Sequence, residues 1–405
     1  MTTDRPITAA DAPDPVDLAA ALIKRPSVTP KDAGALDVLA DTLKPLGFTI
    51  HDLTFEEDGA APVRNIYARW GDAAPHFCFA GHTDVVPEGD ADAWRHPPYA
   101  ATVKDGVLWG RGAADMKSAV AAFAAAAARV IGEGGVKGSV SLMITGDEEG
   151  EAINGTRKIL RWLKERNETI DHCLVGEPTS VENLGDMMKV GRRGSMNCTL
   201  TVDGVQGHVA YPHRAHNPIP DLTRMLLRLS ETPLDDGYER FQPSGLQITN
   251  ITVDNEASNV IPAQATARFN IRFNPNWTPA SLEAWLRDQL SAAIANRGDG
   301  VRFDLACRTS GEAFLTTDTA FIDQIATIIE EETGASPERS TSGGTSDARM
   351  IKDAAPVVEF GLVGASMHKT DEHAAVADIE RLANIYTVIL KRYFEAAPGS
   401  SQNQA

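Results

Sequence analysis

Three apolar runs in the first half of the chain, at 76–80, Ser139–Thr145 and 171–175, each stop at a glycine: Gly81, Gly146 and Gly176. Helical spacing fills the intervals, with an alanine-rich stretch at 118–130 and a second helix at 153–166. Strands that are apolar on both faces and alternate with helices specify a mostly parallel sheet covered on both sides. In such sheets ligands bind beyond the carboxyl ends of the strands. The residues just past the three glycines are therefore the informative ones: His82-Thr83-Asp84, Asp147-Glu148-Glu149 and Glu177. These side chains should share one rim.

Around this core the pattern is α/β. Helices are expected at 15–24 and 31–45, the second stopping at Gly47, and strands at 48–55 and 65–70. A glycine-rich turn, Leu108-Trp109-Gly110-Arg111-Gly112-Ala113-Ala114-Asp115-Met116-Lys117, delivers one carboxylate, Asp115, and the alanine-rich helix opens at once. Phe123 is that helix's only bulky side chain, so it can pack very close to a sheet. From about Arg193 the texture changes. Runs at 196–202, 246–253 and Gln264–Phe273 alternate apolar and polar residues, as half-exposed antiparallel strands do. Helices are expected at 220–230 and 281–296. Near Cys307 the first texture returns, with helices at 319–332 and 379–394, a Gly/Ser loop at 340–346 and a strand at 357–360. The expectation is a discontinuous α/β domain, 1–193 and 307–405, into which a smaller α+β domain with an antiparallel sheet, 194–306, is inserted.

Composition narrows the partners. A formal charge of −18 over 405 residues argues against nucleic acid or an anionic membrane surface. The alanine-rich helix is too short and too weakly apolar to span a bilayer. No signal peptide is visible, and the stretches 1–14 and 398–405 read as disordered tails. Cys78, Cys173, Cys198 and Cys307 form no Cys-x-x-Cys pair and lie in apolar strand-like runs, which fits free thiols in a reducing cytoplasm.

Imidazole with carboxylate suits zinc. His82, Asp115, Glu149, Glu177 and His368 supply two imidazoles and three carboxylates, enough for two ions sharing a bridging carboxylate, and Glu148 is left over as a general base. Asp84, two residues from His82, can hold the far ring nitrogen. Each piece has an ordinary alternative. Asp115 could be an N-cap, Glu148-Glu149 a solvated pair at a helix start, Glu177-Pro178 a turn, and His368 a surface histidine beside Lys369. His208, His213 and His216 are spaced to form a separate metal site, although Pro212 and Pro218 suggest an irregular loop there.

Gly81-His82-Thr83-Asp84-Val85-Val86-Pro87, Gly110 to Lys117 and Gly146-Asp147-Glu148-Glu149 resemble the zinc-dependent aminoacylase/carboxypeptidase-type family, whose members hydrolyse amide bonds. Val190 to Ser195, Gly207 to His213, Ser258 to Pro262 and Ser342 to Arg349 extend the resemblance over nearly the whole chain. It implies two Zn2+ per subunit, with Co2+ able to substitute. His82 and Glu177 would hold one ion, Glu149 and His368 the other, with Asp115 as bridge and Glu148 as base. It implies a cis peptide between Asp115 and Met116, and an inserted domain that makes a homodimer and carries His208 across to the partner's site, with Asn259 beside it. The substrate it implies is a small N-acyl amino acid, whose carboxylates Arg192, Arg272 and Thr345 can seat. N-acyl amino acid deacylase and dipeptidase activities both remain open. One departure is Gly364, where many members carry an asparagine four residues before the last histidine ligand.

Overall fold

The structure, a computed structural model, describes residues 7–57, 59–297 and 301–396. The chain divides into two compact units, and each is described by itself. The first takes in the described residues up to Val190, Thr316–Ser340 and those from Ser346 onward; the second is Gly191–Leu315 with Thr341–Thr345.

The first unit is built on an eight-stranded sheet. Its order is Thr49–Phe55, Val63–Trp70, Ser139–Thr145, His76–His82, His172–Val175, Val357–Glu359, Met187–Lys189 and Glu338–Ser340. The central strands, from Ser139–Thr145 across to Val357–Glu359, run parallel, as their unbroken apolar faces require. Helix Lys117–Gly132 lies in the middle of this unit, with Ala119 through Ala128 wholly buried. Small side chains let it sit in close contact with helices Pro15–Ile23 and Val376–Ala396. Phe123 fills the remaining space, stacked on Phe79 with ring centroids 4.3 Å apart.

The second unit is a four-stranded antiparallel sheet in the order Gly245–Thr252, Gln264–Phe273, Gly194–Asp203, Arg302–Gly311. Alternate residues of Gln264–Phe273 are buried, and Leu200, Phe269 and Ile271 pack with Leu222, Met225, Leu282 and Leu286 of helices Ile219–Glu231 and Pro279–Ile294. The expected boundary at 306/307 falls inside strand Arg302–Gly311, where Cys307 pairs with Cys198. The unit therefore runs on to Leu315. The alternation of Phe303, Leu305 and Cys307 carries through the expected boundary, and the residues beyond it, Thr309-Ser310-Gly311, have no apolar side chain to mark where the strand stops.

Two further differences are local. Residues 1–6 and 398–405, read as tails, lie outside the described residues. Residues 7–14, by contrast, are built into the fold: Ala9–Asp11 form a 3-10 turn, and a Cβ on Gly132 would lie 2.2 Å from the Thr8 carbonyl carbon. The strand His76–His82 does not break at Gly81 but continues through it, so His82 is its last residue. The four cysteines are free thiols, in two cross-strand pairs. Among the described residues no helix is long and apolar enough to cross a membrane.

Candidate active site

The parallel register puts the strand ends level. His82 stands opposite Thr145, and Ala80 opposite Val175, so His82, Glu148-Glu149 and Glu177 emerge at the same rim. Asp115 comes from the glycine-rich turn and His368 from the loop after strand Val357–Glu359. Asp115 is not an N-cap. Met116 holds that position without a side-chain bond, and the Asp115–Met116 peptide is cis, as the resemblance implies.

The carboxylate of Asp115 faces two imidazoles, one with each oxygen. Oδ1 is 3.2 Å from His82 Nε2, and Oδ2 is 3.3 Å from His368 Nε2. Glu177 Oε1 is 3.8 Å from His82 Nε2, and Glu149 Oε1 is 2.8 Å from His368 Nε2. The donor atoms fall into three overlapping clusters, His82/Asp115/Glu177, Asp115/Glu149/His368 and His82/Glu148/Glu149, with the atoms of each within 4.8 Å of one another. Each cluster offers one imidazole nitrogen and two carboxylates, a donor set that fits zinc and leaves room for a water or substrate oxygen.

Electrostatics agree with a site that trades protons for cations. Hydrogen bonds that its Nε2 donates to the Asp115 and Glu149 carboxylates push His368 up to about 10. Burial opposes the charged form of His82, but Asp115, Asp84 and Glu148 outweigh it and hold this imidazole well above its usual range. Burial and the neighbouring Glu177 raise Glu148 well above an ordinary carboxylic acid.

The structure gives Asp84 a different role from the expected one. His82 Nδ1 bonds the backbone carbonyl of Asp84, at 2.9 Å, while the carboxylate oxygen is 3.7 Å from it. The Asp84 carboxylate instead accepts the amide N–H groups of Glu148 at 3.3 Å and Glu149 at 3.0 Å. It fixes the backbone of both acids.

His368 adopts left-handed backbone, φ 62°, which costs a non-glycine residue about 1–2 kcal/mol. Gly364, where an asparagine is more usual, has a local reason: a Cβ there would lie 2.8 Å from the Pro178 carbonyl oxygen, beside Glu177.

The remaining expected residues lie in the second unit. Arg192 is buried and donates from Nη1 to the Gly344 carbonyl at 3.1 Å, next to Thr345. His208 is exposed on a short strand, and the Val209 amide bonds the Asn259 carbonyl at 3.1 Å. Arg272 is opposite Ser195 on the central strand pair. His216 does not join His208 and His213 in a metal cluster; it pairs with buried Asp221 at 2.9 Å.

The sequence pattern of peptidase family M20/M25/M40 matches residues 78–392. The chain belongs to that family. Among M20 relatives, a succinyl-diaminopimelate desuccinylase from Parvibaculum lavamentivorans is 58% identical over 94% of this chain and 96% of its own. A protein of the same name from Rhodospirillum centenum is 58% identical over 95% of this chain and 99% of its own. Solved M20 structures share the fold at low identity. A metallo-carboxypeptidase from Sulfolobus solfataricus has a TM-score of 0.74 at 16% identity, covering 94% of this chain and 99% of that one. A dinuclear metal-binding peptidase from Bacillus subtilis has a TM-score of 0.70 at 14% identity, covering 95% of this chain and 98% of that one.

Proposed function

We propose that this chain is a di-zinc amidohydrolase that cleaves N-succinyl-LL-2,6-diaminopimelate to succinate and LL-2,6-diaminopimelate, a step of bacterial lysine and diaminopimelate synthesis. The observation that carries the substrate is the near-full-length 58% identity to desuccinylases. The chemistry is supported by the way Asp115 divides its two oxygens between His82 and His368.

Two Zn2+ (or Co2+), held by His82 and Glu177 on one side and Glu149 and His368 on the other with Asp115 between, would polarise the scissile carbonyl and acidify a water. The protein's own groups do the rest. Glu148 takes the proton of the attacking water and returns it to the departing amine nitrogen. Asp84 keeps Glu148 and Glu149 in register through their amides. Arg192, Arg272 and Thr345 seat the carboxylates of succinyl and amino-acid portions. His208, with Asn259 beside it, stabilises the oxyanion in the other subunit's site. A homodimer is supported by the second unit's exposed apolar side chains, among them Val205, Tyr211, Leu227 and Ile251. The pathway's chemistry argues for the cytoplasm.

Glu148→Gln keeps the side chain's shape but cannot accept the proton. Turnover of succinyl-diaminopimelate should fall by about 10²–10⁴ with both metal ions retained. Retained turnover, or loss of an ion, would overturn the base role. Wild-type preference for N-acetylornithine or dipeptides over succinyl-diaminopimelate would overturn the substrate.

A further inference from the structure

Asp115 and His368 both sit on irregular segments, so something else must hold them at a fixed separation. The side chain that reaches both segments is Glu372, four residues beyond His368 and 1% exposed. Its Oε1 accepts the amide N–H of Ala114 at 3.0 Å and of Asp115 at 3.1 Å, and its backbone carbonyl accepts that of Gly110 at 2.9 Å. Its Oε2 takes Arg111 Nη1 at 2.6 Å. Arg111, 2% exposed, also donates from Nη1 to the Lys369 carbonyl and from Nη2 to the Pro87 carbonyl, each at 3.2 Å. Its guanidinium carbon lies 5.1 Å from the ring centroid of Trp94. A small antiparallel sheet backs the arrangement, with His373 opposite Trp109.

One buried ion pair thus contacts the segment after His82, the turn that carries Asp115 and the loop that carries His368. We infer that Arg111 and Glu372 are positioning residues that preset the spacing of Asp115 and His368 and so set the affinity for the metal that these two share with Glu149. Neither belongs to any of the clusters of metal-ligand candidates. A guanidinium suits the task because its fixed fork serves a carboxylate and two carbonyls at once, which a lysine cannot do. Glu372 suits it because one carboxylate oxygen can accept two amides while the other takes the arginine.

The inference rests on the di-metal reading above, and the test separates the two. The full chain, stripped with a chelator, is titrated with Zn2+ against a chromophoric competitor, and with Co2+ while its visible spectrum is recorded. A wild-type chain that binds no ions overturns the di-metal reading itself. If the wild type binds two, Glu372→Gln and Arg111→Lys should each weaken at least one ion by about 10–100-fold and change the Co2+ spectrum. Glu168→Gln serves as the comparison: it breaks the half-buried pair with Arg69, 2.6 Å apart and away from the metal ligands, and should leave both affinities unchanged. A purely structural role for Arg111 and Glu372 predicts a lower melting temperature with affinities within twofold of wild type, and that result overturns the inference. If Glu372→Gln does not fold, Arg111→Lys, which keeps the charge, decides by the same criterion.

Discussion

Gly81 precedes His82, and the space beside it is taken. A Cβ built there would lie 2.4 Å from Met116 Cε and 3.2 Å from its Sδ, where carbon atoms normally rest about 3.5–4.0 Å apart. The thioether cannot simply swing aside. A Cβ on Gly176 would lie 2.8 Å from the same Cε and 2.5 Å from Phe79 Cζ, so both glycines wall the pocket that Met116 fills. Met116 is wholly buried and comes directly after Asp115. Gly81→Ala therefore demands a shift of about 1 Å in the side chain next to the bridging carboxylate, and should cost about 1–3 kcal/mol. Met116→Ala empties the pocket and should cost about 2–5 kcal/mol. Combined, the new methyl enters the vacated space, so the double variant should lose less than the sum, with a coupling of about 1–3 kcal/mol. Urea unfolding of the four proteins measures it. Single losses that add to within about 0.5 kcal/mol would refute the argument that these glycines exist to admit Met116.

Two other outcomes are expected. His76 is buried, with Nδ1 2.6 Å from the Thr169 carbonyl and Nε2 2.7 Å from the Ser141 hydroxyl, and burial lowers its pKa. The unfolded chain thus takes up this proton first, so its contribution to stability is complete above about pH 6.5 and is lost as pH falls toward the lowered folded value. His76→Gln should flatten that part of the urea-stability profile between pH 7 and 5, and an unchanged slope would count against it. For the proposed shared site, mixing Glu148→Gln with His208→Ala after subunit exchange should restore about a quarter of wild-type turnover. Half the dimers are then mixed, each with one intact site. A mixture that stays dead means His208 serves its own chain.

The core elements are legible in the sequence because they obey one rule each. Unbroken apolar runs make parallel central strands, period-two alternation makes the antiparallel sheet, and the alanine run makes a helix buried on all sides. The misses fall where that rule weakens. The edge strand Arg302–Gly311 keeps its alternation through Phe303, Leu305 and Cys307 but buries only Leu305, and nothing in that pattern marks where the unit ends. Gly81 reads as a strand end because glycine usually is one in such a run. Its actual role, admitting a side chain from a turn 35 positions later, is a tertiary fact.

The site divides the same way. Three of its metal-ligand candidates, His82, Glu149 and Glu177, can be picked out because they lie at or just past strand ends, where topology alone makes distant residues neighbours. Asp115 and His368 lie instead on a turn and a loop. What orients these residues cannot be picked out. Nearness in sequence points Asp84 at His82, yet its carboxylate serves amides 64 and 65 positions away. Lys117, buried beside the site, is spent on the carbonyls of Leu22 and Arg25. Arg111 and Glu372 are 261 positions apart, and each taken singly is an ordinary surface residue type. Nothing in the chain before folding marks them as partners. The flanking glycines of Gly110-Arg111-Gly112 mark only a turn, where an arginine is ordinarily exposed. Its burial, and the counter-charge that a buried guanidinium requires, are tertiary facts, and the fold supplies that acid as Glu372.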